Sequence, residues 1–129
     1  MDIYPNLKPD PMAPFAPMSY RTAREEKKRE HCNGCGSKGL GGWLVPDTLW
    51  GLSIEEECNI HDWMYSEGKT IADKEEADRV FLNNMIRRIE REKGAISKAL
   101  RPLRKIRAKE YYEAVRIFGG PAFWAGKNP

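Results

Sequence analysis

The stretch Cys58-Asn59-Ile60-His61-Asp62-Trp63-Met64-Tyr65 decides the reading of this chain, because it sets an imidazole, a carboxylate and a phenol inside one helical pattern. Ser53 can cap the start, Glu56 three residues later completes a capping box, and Gly68 supplies a stop. At about 100° per residue, Ile54, Cys58, His61 and Tyr65 share a stripe, and Asp62 lies beside it. Neither a plain surface histidine nor a pure packing histidine calls for a flanking carboxylate. What the stripe does depends on what faces it.

The next segment supplies the facing surface. Gly68 and Lys69 form a short connection, and Thr70 caps a second helix that runs to about Lys93 and is ended by Gly94. On it, Ile71, Leu82, Met85 and Ile89 lie within roughly 40° of Asp78 by the same helical arithmetic. A short turn favours antiparallel packing, so the His61 stripe should face the Asp78 stripe. An aspartate among apolar residues needs a partner, since an unpaired buried carboxylate is costly.

Before the first helix, His31 to Gly42 (HCNGCGSKGLGG) is a glycine-dense loop whose backbone can approach a ligand closely. It runs into WLVPDTLWGL, where a Pro46-Asp47 turn signal sits among Trp43, Leu44, Val45, Leu49, Trp50 and Leu52. That segment covers the core or rims a site for an apolar ligand, with Trp43, Leu44, Leu49 and Trp50 as its rim. Residues 1–18 carry Pro5, Pro9, Pro11, Pro14 and Pro17 and read as a poorly ordered arm, with Tyr4 and Phe15 as docking residues. Ser19 to Glu30 suits a short solvated helix or a continuation of the arm. Beyond Gly94, Ala95 to Phe118 is helical with a break near Pro102, and Leu103, Ile106, Ala114 and Ile117 form a stripe interrupted by Glu110; Phe123 and Trp124 follow as anchors.

The chain has 129 residues, nearly a third of them charged, which bounds it to an arm (1–18) and one modest domain (19–129). Net charge is only +3, but Lys and Arg crowd the region from Arg87 to Lys109, where Glu90 and Glu92 are the only acids. The opening MDIYPNLKPD lacks the charged start and apolar run of a secretory signal, and no stretch approaches a membrane span. The expectation is a soluble protein made in the cytoplasm, reaching other sites only by lysis or a leaderless route. Three cysteines are too few for a disulfide scaffold.

His61 opposite Asp78 makes a dyad: the carboxylate holds one ring N–H and leaves the other nitrogen to take a proton from water. Asp62 points elsewhere and suits a hard cation, to which a folded glycine-rich loop could add backbone carbonyls, a donor set that favours calcium. The same loop could present a backbone N–H to a developing oxyanion. Ester hydrolysis is the reaction class that uses water, a His-Asp base and a calcium electrophile.

The segment CNIHDWMY resembles the CxxHDxxY active-site helix of the secreted-type phospholipase A2 family, NGCGS is similar to its calcium loop in compact bacterial or phage-like members, and ADRVF, with Asp78, to the segment supplying the second dyad residue. The resemblance covers roughly Cys32 to Met85. It implies a mainly α fold with two antiparallel active-site helices, a glycine-rich calcium loop and a C-terminal helical extension. By position it implies His61 as general base, Asp78 as its orienting partner and Tyr65 hydrogen-bonded to Asp78. It further implies calcium held by Asp62 and the carbonyls of Gly34, Gly36 and Lys38, with the Gly36 N–H on the oxyanion. The implied substrate is a glycerophospholipid cleaved at the sn-2 ester, and the implied disulfide joins Cys35 to Cys58. Glu57 stands where the family usually has a second cysteine.

A different metal would read the same residues differently. Cys32, Cys35, Cys58 and His61 have the spacing of a Cys3His zinc site, which would make the chain a zinc-stabilised helical binding module with a basic face. A catalytically inactive phospholipase A2-like fold is the other alternative. For the basic region, the expected partner is an anionic phospholipid membrane surface rather than nucleic acid. Cys32 is expected as a free thiol, and His31 as a surface residue without a partner.

Overall fold

Two helices carry the residues of interest, α3 (Glu55–Glu67) and α4 (Ile71–Arg91), joined by residues 68–70. In this computed structural model the described residues are 13–32 and 45–127, with the backbone of Ile3 and Tyr4. The protein is mainly helical. Thr70 forms the expected cap: its hydroxyl accepts from the Asp73 N–H at 3.1 Å, and the Asp73 carboxylate accepts in return from the Thr70 N–H. His61 meets Asp78 near the turn, and Glu57 meets Arg88 (3.0 Å) near the far ends, so the helices are antiparallel.

The buried face of α3 includes Cys58, Ile60, His61, Met64 and Tyr65; that of α4 includes Ala77, Asp78, Phe81, Met85 and Ile89. Each large apolar side chain among them contributes about 1.5–3 kcal/mol by leaving water. Ile71 falls outside this stripe. It opens α4 beyond the edge of α3 and is exposed, and Leu82 is only half-buried.

The start of α3 differs from the capping box read in the sequence. Ser53 ends a strand and Ile54 is the cap residue, without a side-chain cap bond. The preceding hairpin explains this. β3 (Thr48–Leu49) pairs antiparallel with β4 (Leu52–Ser53), and the Ile54 N–H donates to the Asp47 carbonyl at 2.8 Å, which seats Ile54 fully in the core. The turn falls at Trp50 (φ 46°) and Gly51 (φ 81°), not at Pro46-Asp47; both central residues are left-handed, as a two-residue turn of this hand requires. Leu49 is a core residue rather than a rim residue, while Trp50 is exposed. Trp43 and Leu44 lie outside the described residues.

Gly94 (φ 103°) turns the chain into α5 (Ala95–Phe118), which returns along α4. Pro102 does not break α5. Its penalty of about 3 kcal/mol in a helix interior is outweighed by packing of the face that follows. Of the expected stripe, Leu103, Ile106 and Ile117 are exposed and only Ala114 packs on the core; the buried face is Arg104, Ala108, Tyr111 and Val115. Two of these hold the hairpin: Arg104 donates to the carbonyls of Leu49 (3.1 Å) and Trp50 (3.0 Å), and Tyr111 to that of Thr48 (2.8 Å).

A short α6 (Gly120–Trp124) then sets Phe123 over the end of α3. Gly68 is required there for space. Its backbone is not left-handed (φ −66°), but a Cβ would lie 2.6 Å from the Phe123 ring.

Residues 13–17 of the arm are docked rather than loose. Phe15 exchanges two hydrogen bonds with the Asn84 side chain (2.7 and 2.8 Å), and Arg87 donates to the Ala13 carbonyl. Within this segment β2 (Ala16–Pro17) pairs with β1 (Ile3–Tyr4). Two short helices, α1 (Met18–Thr22) and α2 (Glu25–His31), follow. No helix among the described residues is long and apolar enough to cross a membrane.

Candidate active site

Helical spacing brings His61 and Tyr65 onto one side of α3, where both meet Asp78 of α4. His61 Nε2 lies 2.7 Å from Asp78 Oδ1, and the Tyr65 hydroxyl donates to the same oxygen at 2.7 Å. The imidazole is held between rings, with Tyr65 and Phe81 centroids at 4.1 and 4.7 Å. It is 1% exposed. Against an ionised carboxylate the ring must present Nε2–H, which leaves the Nδ1 lone pair unprotonated. Nδ1 is buried and has no hydrogen-bond partner among the described residues. A buried, unsatisfied acceptor next to an oriented donor is the arrangement a general base needs to take a proton from a bound water.

The residue that sequence reading missed is Lys74. Its ammonium, one helical turn before Asp78, donates to Asp78 Oδ2 at 2.8 Å and to the carbonyls of Val115 (3.1 Å) and Arg116 (3.2 Å) at the end of α5. Burial pushes the Asp78 carboxyl up, but His61, Lys74 and Tyr65 outweigh it and hold the group below the usual carboxylate range. Burial also lowers the basicity of His61, so the ring is neutral at pH 7. The Tyr65 phenol is pushed up by burial first and then by the Asp78 charge. It stays protonated and keeps donating.

Asp62 is buried and lines a cavity of about 380 Å³ together with Glu30, His31, Tyr65, Phe123 and Lys127. His31 is not a bare surface residue: its Nδ1 lies 3.1 Å from the Ser66 hydroxyl, and its ring stands edge-on to Trp63. Cys32 is a free thiol that donates to the Asn59 carbonyl at 3.2 Å; burial, and then the nearby Asp62 charge, raise its pKa to about 12.

Cys58 is disulfide-bonded. A disulfide sulfur offers no thiolate, so Cys58 does not fit the Cys3His zinc set. The described residues contain no cluster of three or more His, Cys, Asp or Glu side chains placed to hold a metal. Gly34, Cys35, Gly36 and Lys38, expected in the calcium loop, in the oxyanion hole or as the cysteine partner, lie outside the described residues. Comparison with protein-family models, curated proteins and solved structures finds no match.

Proposed function

We propose that the chain is a phospholipase A2-like, calcium-dependent hydrolase of the sn-2 ester of glycerophospholipids. The observation that carries this reading is the free, buried Nδ1 of an imidazole whose Nε2 is fixed by Asp78. His61 takes a proton from water as the oxygen attacks the ester carbonyl. Asp78 stabilises the imidazolium that forms, and His61 then gives the proton to the departing lysophospholipid alkoxide. Tyr65 keeps the acceptor oxygen of Asp78 in place.

The buried Asp62 carboxylate is a hard-oxygen donor of the kind calcium prefers. Asp62 would hold the ion together with the carbonyls of Gly34, Gly36 and Lys38. Calcium, when bound, supplies positive charge against the ester carbonyl and the phosphate.

The partner surface is an anionic phospholipid bilayer. The exposed side of α5 carries Ile96, Leu103, Ile106 and Ile117 with Glu110 among them, and Lys98, Lys105 and Lys109 follow along one edge, Lys105 paired with Glu90. An apolar stripe edged with lysines matches the headgroup boundary of such a membrane. Binding should therefore weaken with salt and on zwitterionic vesicles.

The deciding experiment is release of fatty acid from the sn-2 position of phospholipid vesicles. Hydrolysis is expected with calcium and should vanish on chelation, in His61→Gln and in Asp78→Ala. Full activity in His61→Gln refutes the mechanism, and stoichiometric zinc released only by denaturant refutes the calcium reading.

A further inference from the structure

The Asp78 carboxylate is held on both oxygens, and the two sides do different things. Oδ1 receives His61 and Tyr65 from α3, whereas Oδ2 receives Lys74 from its own helix. With only the first pair, the carboxylate could rotate about its Cβ–Cγ bond and present either oxygen to the imidazole. The ammonium on Oδ2 removes that freedom.

Lys74 is itself fixed. It is 5% exposed, and its three N–H groups have three acceptors, Asp78 Oδ2 and the Val115 and Arg116 carbonyls. Those carbonyls belong to the last turn of α5, where backbone oxygens carry partial negative charge; that of Val115 also accepts from the Gly119 N–H. A lysine that only stapled α4 to α5 would have no need of the dyad carboxylate.

We propose that Lys74 is a positioning residue of the hydrolytic site: by holding Asp78 Oδ2 it fixes the orientation of the carboxylate and hence the hydrogen bond that aims the His61 ring, and it makes the end of α5 part of that site. The proposal rests on the hydrolase reading for its kinetic consequence, but its structural consequence is independent of it.

The test uses the full chain, labelled with 15N in the imidazole rings, in wild-type and Lys74→Met forms. Wild type is expected to show a single Nε2–H tautomer for His61. Lys74→Met should keep that tautomer but loosen its bond to Asp78, with the Nε2–H proton signal moved upfield and exchanging faster with solvent, and its kcat on phospholipid vesicles with calcium should fall about 10- to 100-fold, the range for loss of an orienting partner, with KM within about twofold. Loss of a purely structural contact would lower the melting temperature and leave the Nε2–H signal and the kcat of the folded fraction unchanged, which overturns the proposal. Where Lys74→Met does not fold, Lys74→Gln, which removes the charge and shortens the reach to Asp78 and the α5 carbonyls, is read in the same way; a wild-type Nε2–H signal and kcat in that variant overturn it too. If wild type itself hydrolyses no phospholipid, the hydrolase reading fails, and the imidazole Nε2–H spectra still decide the role of Lys74.

Discussion

Gly119 and Gly120 are adjacent, and the same substitution at each should have opposite consequences. Gly119 joins α5 to α6 with ordinary helical angles (φ −80°, ψ −7°), so its backbone does not require glycine. Space does. A Cβ there would lie 2.5 Å from the Tyr65 hydroxyl and against the Val115 carbonyl oxygen. That carbonyl already accepts from the Gly119 N–H (2.8 Å) and from Lys74 (3.1 Å), so the end of α5 has to shift and Tyr65 has to move with it. Moving the phenol breaks its 2.7 Å bond to Asp78.

Overpacking costs about 1–3 kcal/mol, and the lost buried hydrogen bond adds about 1 kcal/mol. At roughly 3–5 °C per kcal/mol for a chain of this size, Gly119→Ala should melt about 6–20 °C below wild type by circular dichroism at 222 nm. A Cβ at Gly120 meets nothing within 4 Å, so Gly120→Ala should leave the melting temperature unchanged or raise it, by at most about 1 kcal/mol of stability. Equal melting temperatures for the two variants would refute the packing of Tyr65 under the α5–α6 junction. Vesicle hydrolysis should fall in Gly119→Ala and hold in Gly120→Ala.

Removing the hairpin clamp with Arg104→Met deletes the guanidinium bonds to the Leu49 and Trp50 carbonyls, and should lower urea stability by about 2–3 kcal/mol; an unchanged midpoint would show that the hairpin is held without the clamp. In acid, the sign follows from Asp78, whose carboxyl is raised by burial but lowered further by His61, Lys74 and Tyr65. The folded state therefore binds fewer protons than the unfolded chain, whose aspartate titrates near about 3.9. Its stabilisation is complete above that value and is lost as pH falls through the folded one. Asp78→Asn should accordingly flatten the dependence of melting temperature on pH below about 4, and an unaltered slope would remove Asp78 from the account. Thiol titration in denaturant should find one free thiol without reductant and all three cysteines with it, because Cys32 is free and Cys58 is bonded; three thiols without reductant would contradict the disulfide.

The helical pair was legible because its signals are local. Thr70 with Asp73 marks a start, residues 68–70 leave room only for a tight turn, and stripes at helical spacing then have to face each other. The C-terminal helix was misread for a reason that periodicity cannot reveal. Leu103, Ile106 and Ile117 form an apolar stripe interrupted by Glu110, yet Arg104 and Tyr111 face inward, where they bond the hairpin carbonyls, and a buried charged bond to a backbone oxygen offsets an isoleucine left in water. The hairpin itself was hidden because Trp50 occupies a left-handed position usually taken by Asn, Asp or Gly. Ser53 satisfied the pattern of a cap, but pairing with Thr48 places it in a strand.

At the site, the rule that a carboxylate in an apolar stripe needs a partner pointed to His61, and the structure supplies two partners more. Lys74 four residues before Asp78 reads in sequence as one of many exposed i, i+4 ion pairs, worth a few tenths of a kcal/mol. What makes this pair different is the arrival of the Val115 carbonyl, 41 residues further along the chain, which desolvates the ammonium and completes its bonding. The dyad sits on a stretch that ends near Met85, but the group that fixes its carboxylate is held by a helix that begins at Ala95. The basic C-terminal extension is therefore not an appendage to the site. Truncation that removes Val115 and Arg116 should loosen His61 as surely as a change in α3, although neither residue touches it.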